Sequence, residues 1–188
     1  MMREIVFVAL GVLVLADAPA FAERGGTRSD GVTRTGDVLQ LAIPFSALGY
    51  SAAIDDWPGV EQLGYAAGST LAATYLMKYT IKEERPFQDE DSPGHTFPSG
   101  HTSLAFAGAG YWQQRYGWRV GAPMYAAAAF VGYSRNHARM HTWLDISTGA
   151  AIGVGFNLLF TSRYDDENTQ IQVVPTDGGA MLGLNGKF

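Results

Sequence analysis

Residues 134–145 read SRNHARMHTWLD, from Ser134 to Asp145, and put five ionisable side chains into an otherwise apolar half of the chain. The stretch separates two uncharged runs, Val120 to Ser134 and Ile146 to Ser162, both too long for ordinary strands. Arg135 and His141 are six positions apart and would face different ways on one continuous helix. A break is therefore expected between them. Two helices joined by so short a break pack antiparallel.

Working outward, three more uncharged runs appear: Val38 to Ile54, Gln62 to Met77 and His101 to Gln114. Their separators contain Asp55-Asp56-Trp57-Pro58, the loop from Pro86 to Pro98, and Arg115 to Arg119. Gly and Pro punctuate them as helix ends are punctuated. The fold class expected is all-α, an antiparallel helical bundle. In that arrangement Lys78, His101, Arg135 and His141 fall at one end, so topology gathers distant polar residues into one place. The tail differs. TQIQVV alternates polar and apolar residues, PTDGG is turn chemistry, and AMLGLNGKF returns, the pattern of a small C-terminal hairpin.

The chain has 188 residues and a formal net charge of −5, which argues against general affinity for nucleic acid. It has no cysteine, so disulfides, thiolate nucleophiles, cysteine zinc sites and a lipoprotein-type anchor are excluded. Arg3, the apolar run Ile5 to Leu15 and the ending Ala20-Phe21-Ala22 read as a secretory signal cleaved after Ala22. The expected organisation is a signal peptide over 1–22, a polar linker over 23–36, a helical domain over 37–163 and a tail over 164–188. Export places the mature protein in the periplasm or at the periplasmic face of the inner membrane.

Three motifs carry chemistry. Lys78 and Arg85 are seven apart, and Pro86 biases Arg85 out of helical geometry, so that Arg85 folds across the site. Taken alone, such cations are usually just solvated. In Pro98-Ser99-Gly100-His101, Ser99 and Gly100 sit where a helix start leaves amide donors unpaired, which attracts anions. Ser99 would equally serve as a plain helix cap. His101 follows as a proton donor beside that cradle. His141 and Asp145 are four apart, a spacing that lets a carboxylate fix one imidazole nitrogen and leave the other free. Spacing alone leaves open which imidazole attacks and which donates.

Together, Lys78-x6-Arg85-Pro86, Pro98-Ser99-Gly100-His101 and Ser134-Arg135-x5-His141-x3-Asp145 resemble the signature of the type 2 phosphatidic acid phosphatase superfamily. That group also includes bacterial nonspecific acid phosphatases and vanadium haloperoxidases. All eleven specified positions are present in order, over roughly residues 37 to 163. The resemblance implies Lys78, Arg85, Ser99, Gly100 and Arg135 as phosphate ligands, His141 as nucleophile, Asp145 as its partner and His101 as general acid. It implies a phosphohistidine intermediate, no cofactor and no divalent metal. The substrate implied is a phosphate monoester or pyrophosphate, lipid or soluble.

Three rivals stand beside it. His137 and His141 have the i, i+4 spacing of a zinc helix, but Ala138 stands where the glutamate base belongs. A vanadium haloperoxidase would use the same scaffold, though such enzymes are generally far longer. A noncatalytic envelope protein would not need the full polar set. Membrane association is favoured by two groups of aromatics, Tyr75, Tyr79, Tyr133 and Trp143 at the site end and Tyr50, Trp57, Trp112, Tyr116 and Trp118 at the other. Against it, the uncharged runs fall at or below the ~20 residues of a membrane span. His95, His137 and Arg139 occupy no motif position and read as loop or surface residues. The run Asp89-Glu90-Asp91 reads as a solvated loop.

Overall fold

Small residues decide how closely the helices approach. The structure, a computed structural model, describes residues 28–81, 83, 95–164 and, for the backbone, 169–176 and 179–186. The expectations for the signal peptide, Arg85, Pro86 and Asp89 to Asp91 lie outside the described residues. Among the described residues five helices follow one another: α1 (Gly31–Ala53), α2 (Trp57–Ile81), α3 (Gly100–Tyr116), α4 (Trp118–His137) and α5 (Trp143–Phe160). The all-α bundle expected from the uncharged runs is the fold observed.

Helix α3 is the axis and packs against each of the other four. A Cβ on Gly149 would come within 2.6 Å of the Ser99 carbonyl oxygen, and one on Gly153 would overlap the Ser103 carbonyl. Backbone therefore seats on backbone between α3 and α5. Gly108 does the same against α1, where a Cβ would lie 2.7 Å from Pro44 N. Around these contacts Ile43, Leu63, Tyr111 and Val131 fill the core. Each aliphatic side chain so buried contributes about 1.5–3 kcal/mol.

The first helix corrects an expectation. Residues 31–36, read as the end of a polar linker, are its first turns. Asp30 caps it, its side chain accepting from Thr33 N at 3.1 Å. Gly36 is required by packing, because a Cβ there would overlap Ser134 Oγ on α4. The expected break after Arg135 is present. Helix α4 ends at His137, Arg139 turns the chain with φ 58°, and α5 starts at Trp143. Gly117 links α3 to α4 at φ 94°, where a Cβ would also meet Arg163 Nη2 at 2.8 Å. In the tail, β1 (Thr169–Thr176) and β2 (Gly179–Gly186) pair antiparallel, with Thr169 opposite Gly186.

One end of the bundle is closed by a buried ionic cluster. Arg115 donates through Nε to Asp56 Oδ2 at 2.8 Å and through Nη2 to Oδ1. Its Nη1 donates to the carbonyls of Ser162 at 3.1 Å and Arg163 at 3.0 Å. Tyr116 donates to Asp56 Oδ2 at 2.8 Å, and Gly59 N donates to Oδ1 at 3.0 Å. Arg115 is thus a structural cation, 6% exposed although it stands in the separator between two uncharged runs.

Candidate active site

The opposite end gathers the residues singled out in the sequence. Lys78 stands in the last turn of α2, and a Cβ built on Gly100 would meet its Cε at 3.7 Å. Lys78 Nζ donates to the carbonyls of His95 at 2.9 Å and Thr96 at 3.1 Å, while His95 Nδ1 donates to the Lys78 carbonyl at 2.9 Å. His95, read as a bland loop residue, thus fastens its segment to α2 and lies against the Tyr79 ring.

Ser99 is the N-cap of α3, its hydroxyl accepting from Thr102 N. Its own amide donates to the Asp145 carbonyl at 3.1 Å. The cap reading is therefore realised at Ser99. Gly100 differs from the other close-packed glycines of this bundle, because a Cβ would meet only ordinary contacts there. The protein's packing does not require glycine at that position.

His141 lies in the α4–α5 turn, just ahead of the Thr142 N-cap, and its Nδ1 is 3.3 Å from Asp145 Oδ2. The pair is held across a helix start and not along one helical face, as the spacing had suggested. Asp145 Oδ2 also accepts from Thr142 N at 2.8 Å, while Thr142 Oγ1 accepts from Asp145 N at 3.2 Å. This capping box fixes the carboxylate before it meets the imidazole. The sequence signal, Thr142-x-x-Asp145, was there to be read.

His137 and His141 do not share a helix, which removes the zinc-helix geometry. His137 instead pairs through Nε2 with Asp30 Oδ2 at 2.6 Å and ties the end of α4 to the start of α1.

Arg135 is 0% exposed and held on all sides. It donates through Nε to Ser134 Oγ at 3.1 Å, through Nη1 to Asp37 Oδ1 at 2.7 Å and through Nη2 to the Thr33 carbonyl at 2.7 Å. Asp37 and Thr33 were not anticipated. The same Asp37 oxygen lies 3.2 Å from His101 Nε2.

Burial pushes His101 down to about 4; Asp37 opposes that shift, while Arg135 and Lys78 reinforce it. Burial likewise pushes His141 down to about 4, against the pull of Asp145 and with the help of Lys78. Both imidazoles are thus neutral near pH 7. With Asp145 on Nδ1, His141 presents Nε2 as a lone-pair nitrogen, which is a competent nucleophile.

The model of the PAP2 superfamily matches residues 60–169. The lipid A 4'-phosphatase of Helicobacter pylori is 33% identical over 139 residues, covering 69% of this chain and 69% of that protein. The lipid A 1-phosphatase of Porphyromonas gingivalis is 30% identical over 121 residues, covering 62% of this chain. This chain accounts for only 26% of that longer protein. Among solved structures, the crystal structure of Aquifex aeolicus LpxE superposes with a TM-score of 0.59 at 22% identity, covering 68% of this chain and 81% of that one.

Proposed function

This chain belongs to the PAP2 superfamily, and on that premise we propose that it is a phosphatase acting on a phosphorylated lipid, through a phosphohistidine intermediate and without a metal. The observation that carries the reading is the convergence at one end of two neutral imidazoles, Lys78 and Arg135 beside a helix start that tolerates more bulk than glycine supplies. The relatives named above are lipid A phosphatases, which makes a lipid A phosphomonoester the first substrate to try.

His141 Nε2 attacks phosphorus, the bond from phosphorus to the ester oxygen breaks, and the leaving alkoxide takes a proton from His101. In the second step His101 takes a proton from water, whose oxygen attacks phosphorus while the phosphorus–nitrogen bond breaks and free phosphate leaves. Asp145, 3.3 Å from Nδ1, stabilises the imidazolium character that develops on His141. Lys78, Arg85, Arg135, the Ser99 hydroxyl and the Gly100 amide hold the charge that accumulates on the phosphoryl oxygens, the largest contribution in such reactions. A phosphate dianion brought beside His101 raises its proton affinity, so substrate binding itself charges the acid.

Membrane association is supported by the surface. Helix α5 is long and apolar enough to cross a membrane. Leu144, Leu158 and Leu159 on it are exposed, as are Tyr79, Tyr133 and Trp143 toward the site and Tyr50, Trp57 and Trp118 toward the far end. We place the site on the periplasmic side of the inner membrane, following the export signal read in the sequence.

The test is to fractionate the expressed protein and assay each fraction for phosphate release from lipid A, phosphatidate, a pyrophosphorylated lipid and a soluble aryl phosphate. Release in the membrane fraction, unaffected by chelators and inhibited by vanadate, is expected. A chain with no activity on any of the four would sink the reading.

A further inference from the structure

We propose that Asp37, on α1, is a positioning residue of this site that holds both Arg135 and His101 for the phosphoryl group. The proposal rests on the phosphatase reading above. It starts from one oxygen atom. Asp37 Oδ1 accepts from Arg135 Nη1 at 2.7 Å and lies 3.2 Å from His101 Nε2. A cation delivered by α4 and an imidazole delivered by α3 are thus referred to one carboxylate on a third helix. That helix precedes the residues matched by the family model, which begin at 60.

Arg135 has little freedom of its own. Fully buried, it has its Nε on Ser134 and its Nη2 on the Thr33 carbonyl, so the Asp37 contact fixes the remaining edge of the guanidinium plane. A planar fork oriented in advance loses less freedom when it meets a phosphoryl oxygen. The carboxylate also counters the forces that keep His101 neutral. The other charged or titratable groups facing His101 are Arg135 from α4, Lys78 from α2 and His141 from the α4–α5 turn. Asp37 is the carboxylate that favours the protonated form a general acid needs.

A purely structural role, clamping α1 to the bundle, is already filled by other contacts. Gly36 abuts Ser134, Asp30 pairs with His137, and Pro44 lies against Gly108. The Asp37 side chain keeps 36% of its exposure, so it is not a core-filling group.

The experiment uses the full chain, with Asp37→Asn and Asp37→Glu compared with wild type across pH on whichever of the four phosphates above the wild type hydrolyses fastest. Asp37→Asn keeps an acceptor for Arg135 but removes its counter-charge, so some stability is lost and kcat is read on the folded fraction. Its kcat should fall by roughly tenfold to a hundredfold, at or below the low end of the ~10²–10⁴ that a general acid contributes, with KM changing much less. The high-pH limb of its kcat profile should move to lower pH, because the protonated acid loses its support. Asp37→Glu should recover part of both. Wild-type kcat and an unmoved profile in Asp37→Asn would overturn the proposal, as would a faster enzyme, which would mean that Asp37 obstructs the anion. If Asp37→Asn fails to fold, a Glu variant that folds yet keeps the wild-type kcat and profile also overturns it. A wild type inactive on all four of the phosphates named above would overturn the phosphatase reading and this proposal together, whereas an active wild type matched by the variants overturns this one alone.

Discussion

The bundle buries a polar cluster at each end, and the two are completed to different degrees. At the far end both oxygens of Asp56 are saturated, Oδ1 by Gly59 N and Arg115 Nη2, Oδ2 by Arg115 Nε and Tyr116 OH. At the site end Asp145 Oδ1 and Thr96 Oγ1 are buried with no hydrogen-bond partner among the described residues. Buried polar atoms are normally paired, and the two left over fall at the site end. The far cluster fixes the ends of three segments. The near cluster gathers the residues of the candidate site.

The comparison breaks if substitutions fail to separate rate from stability. The largest effect is expected from His141→Ala, which should lower phosphate release by about 10⁴-fold, as removal of an enzymic nucleophile does, while the thermal transition hardly moves. Retention of the wild-type rate would refute the assignment of the nucleophile. Asp56→Ala should do the reverse. Leaving Arg115 buried without its counter-charge should cost about 3–5 kcal/mol in chemical denaturation, while the folded fraction keeps its kcat.

Acid should act on the near cluster next. His101 and His141 lie near 4 in the folded chain, below the ordinary 6.5, so the unfolded chain binds more protons between those values. Their contribution to stability is complete above 6.5 and lost as pH falls toward 4, on the order of 2 kcal/mol for each imidazole by about pH 5. Denaturation of His101→Gln should show a shallower acid slope, and an unchanged slope would contradict the burial argument.

The finest separation comes from two glycines. Gly149→Ala meets backbone and should lose about 1–3 kcal/mol of stability. Gly100→Ala meets only ordinary contacts and should change stability by less than about 1 kcal/mol, yet lower kcat/KM by about tenfold or more. Equal stability losses would erase the distinction drawn between them.

Much of this architecture is legible in the sequence, and what is not has a physical reason. Uncharged runs bounded by Gly, Pro and charge give five helices and their antiparallel order, because apolar surface and helix termini are local signals. The gathering of Lys78, Gly100, His101, Arg135 and His141 at one end follows from that order alone. The start of α1 escaped because Gly31, Thr33 and Gly36 carry weak helix propensity, and only packing against Ser134 explains Gly36. Asp37 escaped because its partners stand 64 and 98 positions away, and no local pattern announces a contact of that range. A carboxylate directly ahead of the uncharged run that begins at Val38, on the end where cations collect, was the available hint. Asp56 and Arg115 escaped for the same reason, 59 residues apart.

The bond from Ser99 N to the Asp145 carbonyl joins the start of α3 to the start of α5 with a single proton. That proton can trade with solvent only when the two helix starts part, so its deuterium uptake is a clock for how often the floor of the proposed site comes undone. A compound that slows the clock without touching the reacting atoms would be gripping the floor from outside.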